Sequence, residues 1–482
     1  MISGCGVLSR EIYLTNRRKS SKPRASIVLS DICSTSRVRY ILDMAHHQSL
    51  NPSIVSSRRG RIAKGVSLRD EILLVGAGEP ISIPGGQDQT YPFLAHSEYF
   101  YLTDHECEGG VVAFDPADGD DKGWVDFVPT VTQGQRVWEG REQVPGTPLG
   151  ELAGWLAARR GKKIVMLGTP LAGIQFDARR AEEVRELFTH ARRAKDDAEI
   201  ERMELAAAAT APAYERVREL LLEAAKGAAI SEQRLKAEIE GKFALHGATR
   251  PCYGTIVGVG DNSAVLHFDP TLRAIKPGET VLIDAGAEVR RYGVDVTRTY
   301  GCGEVTGARR ELHAVVQRAF DRAVAACVPG AEWVDIHVRA ALDMAEGLVQ
   351  MGVLRGSAST AVESGAMGLF FPHGLGHMIG LGVRDATGRL PGRGPTVRKG
   401  VVTIRCDFPL GERYSMTVEP GCYFIGALLR DRANRDAHRD AVDWALVDRL
   451  LDEGIGGVRI EDSVIVTSSG PKALTAHIAH GL

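Results

Sequence analysis

Two aspartates eleven residues apart are the first candidates for chemistry in this 482-residue sequence: Asp284 in Val281-Leu-Ile-Asp284-Ala-Gly, and Asp295 in Tyr292-Gly-Val-Asp295-Val-Thr-Arg. Residues 281–283 read as a buried strand, and Val294 and Val296 alternate with Asp295. The polar run 288–292 between them reads as a hairpin turn. Pairing about a midpoint near residues 289–290 would set the aspartates directly opposite each other, with Cβ atoms about 4.5–5.5 Å apart. Carboxylates that close repel unless a cation or a shared proton intervenes. Either a metal lies between them, or each pairs with a neighbouring guanidinium of Arg290, Arg291 or Arg298. The pair alone leaves both readings open.

Three further segments supply groups that suit a metal. In Phe371-Pro-His373-Gly-Leu-Gly-His377, glycines at 374, 376 and 380 argue against a helix and for backbone packed closely against a site. Glu419 ends a strand in a Glu-Pro-Gly turn, which aims its carboxylate away from the strand end. In 457–466, Val458 and Ile460 face one side while Arg459 and Glu461 face the other. Four acids and one imidazole suit a pair of divalent ions such as Mn²⁺, Co²⁺ or Zn²⁺. Such a pair lowers the pKa of a bridging water and polarises a carbonyl.

The elements that must position these groups form an α+β pattern over 193–482. Helical periodicity runs through 194–224, with Asp196 and Asp197 near its start and Pro212 expected to kink or divide it. Further helices are expected at 232–245, 308–327 and 333–351, interleaved with β-rich blocks at 279–300, 400–425 and 457–466. Upstream, strands near 72–75, 111–114, 125–128 and 163–167 alternate with helices at 149–160 and 181–194. That alternation predicts a smaller α/β domain over 66–192. Gly76-Ala-Gly78 does not make a dinucleotide loop there, because Pro80 and Pro84 follow and no third spaced glycine appears. Residues 1–65 are basic, Ser-rich and poor in acids, and are expected to be disordered. They read as an organelle transit peptide or, preferably, as an extension from an upstream start codon, with Met44 or a later codon as the true start.

Composition excludes several classes. A net charge of -2 points to no nucleic-acid partner and no membrane surface. No apolar run approaches the roughly 18 residues that span a bilayer. The eight cysteines include no CxxC pair, which leaves neither a zinc ribbon nor a disulfide framework. Scattered thiols of this kind act as small apolar residues and fit a reducing, cytoplasmic compartment.

From about residue 70 to 470 the sequence resembles the pita-bread metallopeptidases, namely methionine aminopeptidase, aminopeptidase P and prolidase. The resemblance rests on the order Asp284, Asp295, His377, Glu419, Glu461. It implies a C-terminal pita-bread catalytic domain behind a smaller creatinase-like α/β domain, with two divalent metal ions, Mn²⁺ foremost, held by those five residues. Glu419 would also be the general base for a metal-bridging water. The runs Pro-His373-Gly-Leu-Gly-His377 and Val-Glu419-Pro-Gly-Cys-Tyr-Phe look most like prolidase, the Xaa-Pro dipeptidase. By the same likeness His267 and His373 would act at the catalytic centre, and Tyr253 would lie near the metals. Arg405 would grip the free carboxylate of a dipeptide, and Arg459 would stand beside the last ligand. Trp138 resembles a tryptophan lent to the partner subunit's pocket, which implies a homodimer.

The chain departs from the family at Leu381-Gly-Val-Arg384-Asp385, where a substrate-binding histidine is usual and Arg384 stands instead. Its fixed charge is expected to contact substrate and alter preference. Residues 391–398 are expected to form a reshaped loop over the pocket. The expected activity is therefore hydrolysis of Xaa-Pro dipeptides. The alternatives are an Xaa-Pro aminopeptidase acting on longer peptides and a non-catalytic binding protein on the same fold. Retention of all five ligands weighs against the last.

Overall fold

The computed structural model describes residues 50–394 and 404–482. Residues 1–49 of the expected extension and 395–398 of the expected pocket loop lie outside the described residues.

The rest of the expected extension corrects the sequence reading. Residues Pro52–Gly65 form a helix capped by the Asn51 side chain, with proline at its first turn. Its hold on the body of the protein is ionic as much as apolar. Arg58 is fully buried and meets Asp196 at 2.7 Å, Arg59 reaches Asp126 at 2.6 Å, and Arg61 donates to the Ala194 carbonyl at 2.9 Å. Ile62 and Val66 add the apolar contact. A helix docked through arginines carries no hydrophobic stripe, so its residues read as a solvated basic tract.

The N-terminal part is built on a five-stranded sheet. Its order runs from Thr147–Pro148 through Trp124–Val128, Val111–Phe114 and Glu71–Gly76 to Lys163–Gly168. Glu71–Gly76 is paired on both sides, antiparallel to Val111–Phe114 and parallel to Lys163–Gly168. That central position matches its run of apolar residues. Helices Leu152–Ala157 and Ala178–Ala191 follow the expected α/β alternation.

The catalytic part opens with the helix Asp197–Ala225. Asp196 caps it, and Glu199 completes a capping box. Pro212, expected to kink or divide the helix, lies inside this 29-residue helix without dividing it. Ala206, Ala209, Thr210, Ala213 and Tyr214 are all buried, and that packing outweighs the missing hydrogen bond, a cost of about 3 kcal/mol. The helix lies along a hairpin. Thr210 Oγ1 accepts from Ala287 N at 3.0 Å, and the Tyr214 hydroxyl donates to the carbonyls of Ala285 and Val296 at 3.0 and 2.6 Å. Helices Gly307–Ala325 and Trp333–Gln350 cover a second core beneath the strands that carry the glutamates.

The hairpin itself corrects the expected register. Its turn is Arg290-Arg291, both residues with left-handed φ, 47° and 72°. Val289 therefore pairs with Tyr292, and Glu288 with Gly293. The same register carried down the ladder sets Asp284 opposite Thr297 rather than opposite Asp295. Asp295 faces Gly286 instead, where a Cβ would meet the Val294 carbonyl oxygen at 1.8 Å. Asp284 and Asp295 are thus diagonal neighbours on one face, still within reach of each other. A turn with two left-handed residues ordinarily takes Asn or Gly. Here the arginines are drawn outward: Arg290 meets Asp104 at 3.0 Å, and Arg291 meets Glu106 at 2.7 Å. Those pairs also remove two of the guanidiniums that could have neutralised the aspartates. Arg298 is likewise committed elsewhere, to Asp462 at 2.7 Å.

No helix among the described residues is long and apolar enough to cross a membrane. The six described cysteines are free, and five of them are buried.

Candidate active site

The hairpin strand Thr280–Asp284 is the middle of a three-stranded sheet, between Ile256–Val259 and Thr297–Gly301. Every residue of it is buried, so Asp284 is held at the end of a rigid, fully paired strand. The strands Gly457–Arg459 and Asp462–Ile465 bring Glu461 against the same place through a bridge to Thr297. Ser415–Val418 pairs with Asp462–Ile465 and ends at Glu419. His377 is drawn in by its backbone: its N–H donates to Thr417 Oγ1 at 3.0 Å, and its carbonyl accepts from Thr417 N at 2.8 Å. Gly376 permits that approach, since a Cβ there would fall 2.0 Å from the Thr417 carbonyl oxygen. The 371–380 segment is not helical, as its glycines predict.

These strands converge on a cavity of about 410 Å³. Asp284, Asp295 and Glu461 each place a carboxylate oxygen within 4.8 Å of the other two. His377 Nε2 lies 3.6 Å from Asp295 Oδ2 and 3.8 Å from Glu419 Oε1. His377 Nδ1 is engaged with the Met378 carbonyl at 3.0 Å, which leaves Nε2 free to act as a ligand. Arg459 Nη2 donates to Asp284 Oδ2 at 2.6 Å, and its Nη1 donates to the Tyr423 hydroxyl at 2.9 Å. The Thr297 hydroxyl donates to Glu461 Oε2 at 2.7 Å and accepts from Arg459 Nε at 3.1 Å.

Electrostatics mark the cluster as short of positive charge. Burial pushes Asp295 well above the ordinary carboxylate range, and Asp284 and Glu419 push it further. Burial does the same to Glu461, reinforced by Asp295. Glu419 is raised to about 7 by burial, against the pull of Arg459 and Arg405. Burial holds both His373 and His377 at about 3, so each ring is neutral at physiological pH. Asp284 Oδ1 and Glu461 Oε1 are buried and have no hydrogen-bond partner. Buried carboxylates with unmatched oxygens and a neutral imidazole are a donor set that fits divalent cations.

Of the twelve residues singled out from the sequence, eleven line or floor this cavity: Tyr253, His267, Asp284, Asp295, His373, His377, Arg384, Arg405, Glu419, Arg459 and Glu461. The Tyr253 hydroxyl accepts from Val296 N at 3.3 Å and hydrogen-bonds the Asp295 carboxylate. His373 Nε2 meets the Tyr423 hydroxyl at 2.9 Å. His267 and Arg384 stand exposed at the mouth, and Arg405 Nη1 lies 3.5 Å from Glu419 Oε1. Trp138 is not in the cavity. It sits on the short helix Gln133–Glu139, 87% exposed. The sequence reading missed Thr297, although it lies two residues beyond Asp295 and so shares its face. It also passed over the apolar wall of Ile256, Leu266 and Phe268.

The comparisons with known proteins agree with this architecture. The family model "Metallopeptidase family M24" matches residues 201–468. A probable Xaa-Pro aminopeptidase of Metarhizium robertsii is 34% identical over 315 residues, 59% of this chain and 60% of that protein, so the chain spans less than two thirds of its length. A probable Xaa-Pro aminopeptidase of Metarhizium acridum is 28% identical over 86% of this chain and 89% of that protein. An Xaa-Pro dipeptidase of Shewanella amazonensis is 33% identical over 60% of this chain and 65% of that protein. Aminopeptidase P from E. coli, solved with the inhibitor Pro-Leu, superposes with a TM-score of 0.69 at 23% identity, over 90% of this chain and 97% of that one. The Pseudomonas aeruginosa aminopeptidase PepP gives a TM-score of 0.68 at 24% identity, over 89% and 96%. These likenesses show the pita-bread fold.

Proposed function

The chain belongs to metallopeptidase family M24, and on that premise we propose that it hydrolyses the peptide bond preceding proline in Xaa-Pro substrates. The observation that carries the reading is the buried cluster of Asp284, Asp295 and Glu461, with two unmatched carboxylate oxygens, on the floor of a cavity that also presents His377 and Glu419. Asp284, Asp295, His377, Glu419 and Glu461 are the residues that would hold two divalent ions, Mn²⁺ foremost. Such ions supply Lewis acidity toward the scissile carbonyl and lower the pKa of a water.

The chain's own groups divide the remaining work. Glu419, beside His377 on the cavity floor, is the carboxylate placed to accept a proton from the attacking water. Arg459 fixes Asp284 and Tyr423 through one planar guanidinium. The Tyr423 hydroxyl in turn orients His373, whose Nδ1 meets the Gly374 carbonyl. His267 and Tyr253 bound the substrate from the opposite strand region. Ile256, Leu266 and Phe268 offer the proline ring an apolar wall.

Arg405 supports a dipeptide as substrate, because a guanidinium beside the catalytic carboxylate meets a C-terminal carboxylate close to the scissile bond. The aminopeptidase reading, on longer peptides, is supported by the names of most of the relatives quoted above. Hydrolysis of Ala-Pro, Ala-Pro-Ala and Pro-Ala, with Mn²⁺, Co²⁺ and Zn²⁺ added separately, tests both. We expect metal-dependent cleavage of Ala-Pro, slower cleavage of Ala-Pro-Ala and none of Pro-Ala. Faster turnover of the tripeptide would replace the dipeptidase reading by the aminopeptidase one. No metal-dependent cleavage of either Xaa-Pro peptide would sink both.

A homodimer completes the proposal. Trp138 and Val137 expose apolar surface on one short helix, 87% and 72% accessible, which suits a contact with a second subunit. Sedimentation at micromolar concentration should give twice the chain mass. The free thiols suit a cytoplasmic setting.

A further inference from the structure

Among the described residues, Arg384 is the cation of this cavity without a protein partner. It lines the mouth, is exposed, and forms no hydrogen bond or ion pair among the described residues. Arg459 is engaged with Asp284, Thr297 and Tyr423, and Arg405 stands 3.5 Å from Glu419.

The side chain is free, but its backbone is not. Asp385, the next residue, is buried and bound to Arg192 and to Lys195, the latter at 2.5 Å. Its Oδ2 accepts from Leu381 N at 3.1 Å, and its own N–H donates to the Met378 carbonyl at 3.1 Å. The Ala386 carbonyl accepts from Arg193 Nε at 3.0 Å. Arg384 is therefore carried on an anchored segment that runs back to His377, with its guanidinium unpaired among the described residues. Two divalent ions would balance the four carboxylates of Asp284, Asp295, Glu419 and Glu461. Three guanidiniums would then stand at the cavity against Asp269 alone, and the mouth would be positive.

We infer that Arg384 selects substrates that carry a carboxylate on the proline side of the scissile bond, meeting it through its planar fork. The carboxylate comes either from the C-terminus of an Xaa-Pro dipeptide, which Arg384 would share with Arg405, or from an acidic side chain following proline in a longer peptide. The inference rests on the Xaa-Pro reading above and names the substrate class of that same site.

The test uses the metal-loaded full chain as wild type, R384Q and R384K. kcat/KM is measured for two matched pairs: Ala-Pro against Ala-Pro-NH₂, and Ala-Pro-Asp-NH₂ against Ala-Pro-Ala-NH₂. The wild type should favour the carboxylate-bearing member of one pair by about tenfold or more, the scale of one charge-assisted hydrogen bond. The pair that shows the preference identifies the source of the carboxylate. R384Q should collapse that ratio toward one through KM, and R384K, which keeps the charge but loses the fork, should restore part of it. Calorimetric binding of L-proline and L-prolinamide gives a readout independent of turnover, which R384Q should weaken about tenfold for the acid alone when the dipeptide is the source. Equal ratios in wild type and R384Q for both pairs, with Ala-Pro still cleaved, would overturn this inference and leave the Xaa-Pro reading standing. A wild type that cleaves none of the four peptides would overturn the Xaa-Pro reading and this inference with it.

Discussion

Two buried ionic regions lie on either side of the segment 377–385, and they use the same residue types to opposite ends. At the junction between the N-terminal sheet and the catalytic part, half-buried Asp196 and buried Asp385 have both carboxylate oxygens matched. Asp196 accepts from Arg58 and from Glu199 N, and Asp385 accepts from Arg192, Lys195 and Leu381 N. Against the burial that would raise them, Arg58 holds Asp196 below its ordinary value, and Arg192 and Lys195 do the same for Asp385. In the cavity, Asp295, Glu419 and Glu461 are shifted the other way, and two carboxylate oxygens have no partner. The chain could have neutralised the cavity, because Arg290, Arg291 and Arg298 all lie close to it in sequence. It spends them elsewhere. A buried carboxylate matched within the chain is architecture, whereas three that converge within 4.8 Å, with two oxygens unmatched, are a place for a cation from outside.

The contrast predicts separable consequences. Asp284→Asn should abolish metal binding and lower kcat by on the order of a thousandfold or more, while the far-ultraviolet circular dichroism stays native. Full activity or full metal content in that variant would break the assignment of the cavity. Asp385→Ala does the reverse: it leaves Arg192 and Lys195 buried without their carboxylate and should cost about 3–5 kcal/mol of stability. That cost would be read as a lowered Tm, with metal content per folded chain unchanged. Loss of metal at an unchanged Tm would place the junction in the site and erase the distinction.

pH sharpens it further. Glu419 has a folded pKa of about 7, above its ordinary 4.5. Between those values the folded chain keeps a proton that the unfolded chain has lost, so the stability of the metal-free protein should fall as pH rises from about 4.5 to about 7. The fall is on the order of 3 kcal/mol for this group alone. Metal binds the deprotonated carboxylates, so the gap in Tm between metal-loaded and chelator-treated protein should widen over the same range. A gap that narrows with pH would count against a metal at these carboxylates. The smallest expected effect is that of Thr297→Val. It removes the hydroxyl between Glu461 and Arg459, and should weaken metal affinity about tenfold by loosening the orientation of Glu461. Equilibrium titration against a competing chelator measures this, and an unchanged affinity would show that the strands alone orient the ligand.

How much of this was legible beforehand follows from the range of each interaction. The alternation around Asp295 and along 457–461 was readable because a strand's period of two sorts neighbouring residues onto faces. Val458 and Ile460 do enter the core while Arg459 and Glu461 face the site. The glycines around His377 were readable because close backbone approach demands a missing side chain. The hairpin register was not. It depends on a left-handed Arg290-Arg291 turn that propensity disfavours, and that Asp104 and Glu106 favour from the other domain. The helix Pro52–Gly65 was hidden for the same reason, since Arg58 finds Asp196 at a sequence separation of 138.

The sequence by itself determined the chemical inventory and its order: four carboxylates, an imidazole and their strand or turn settings, each a local property of side-chain type and spacing. The tertiary structure decided which of the chain's many charges would be matched. That outcome depends on distances between residues far apart in the chain, and on burial, which alone turns a common aspartate into one that needs a metal.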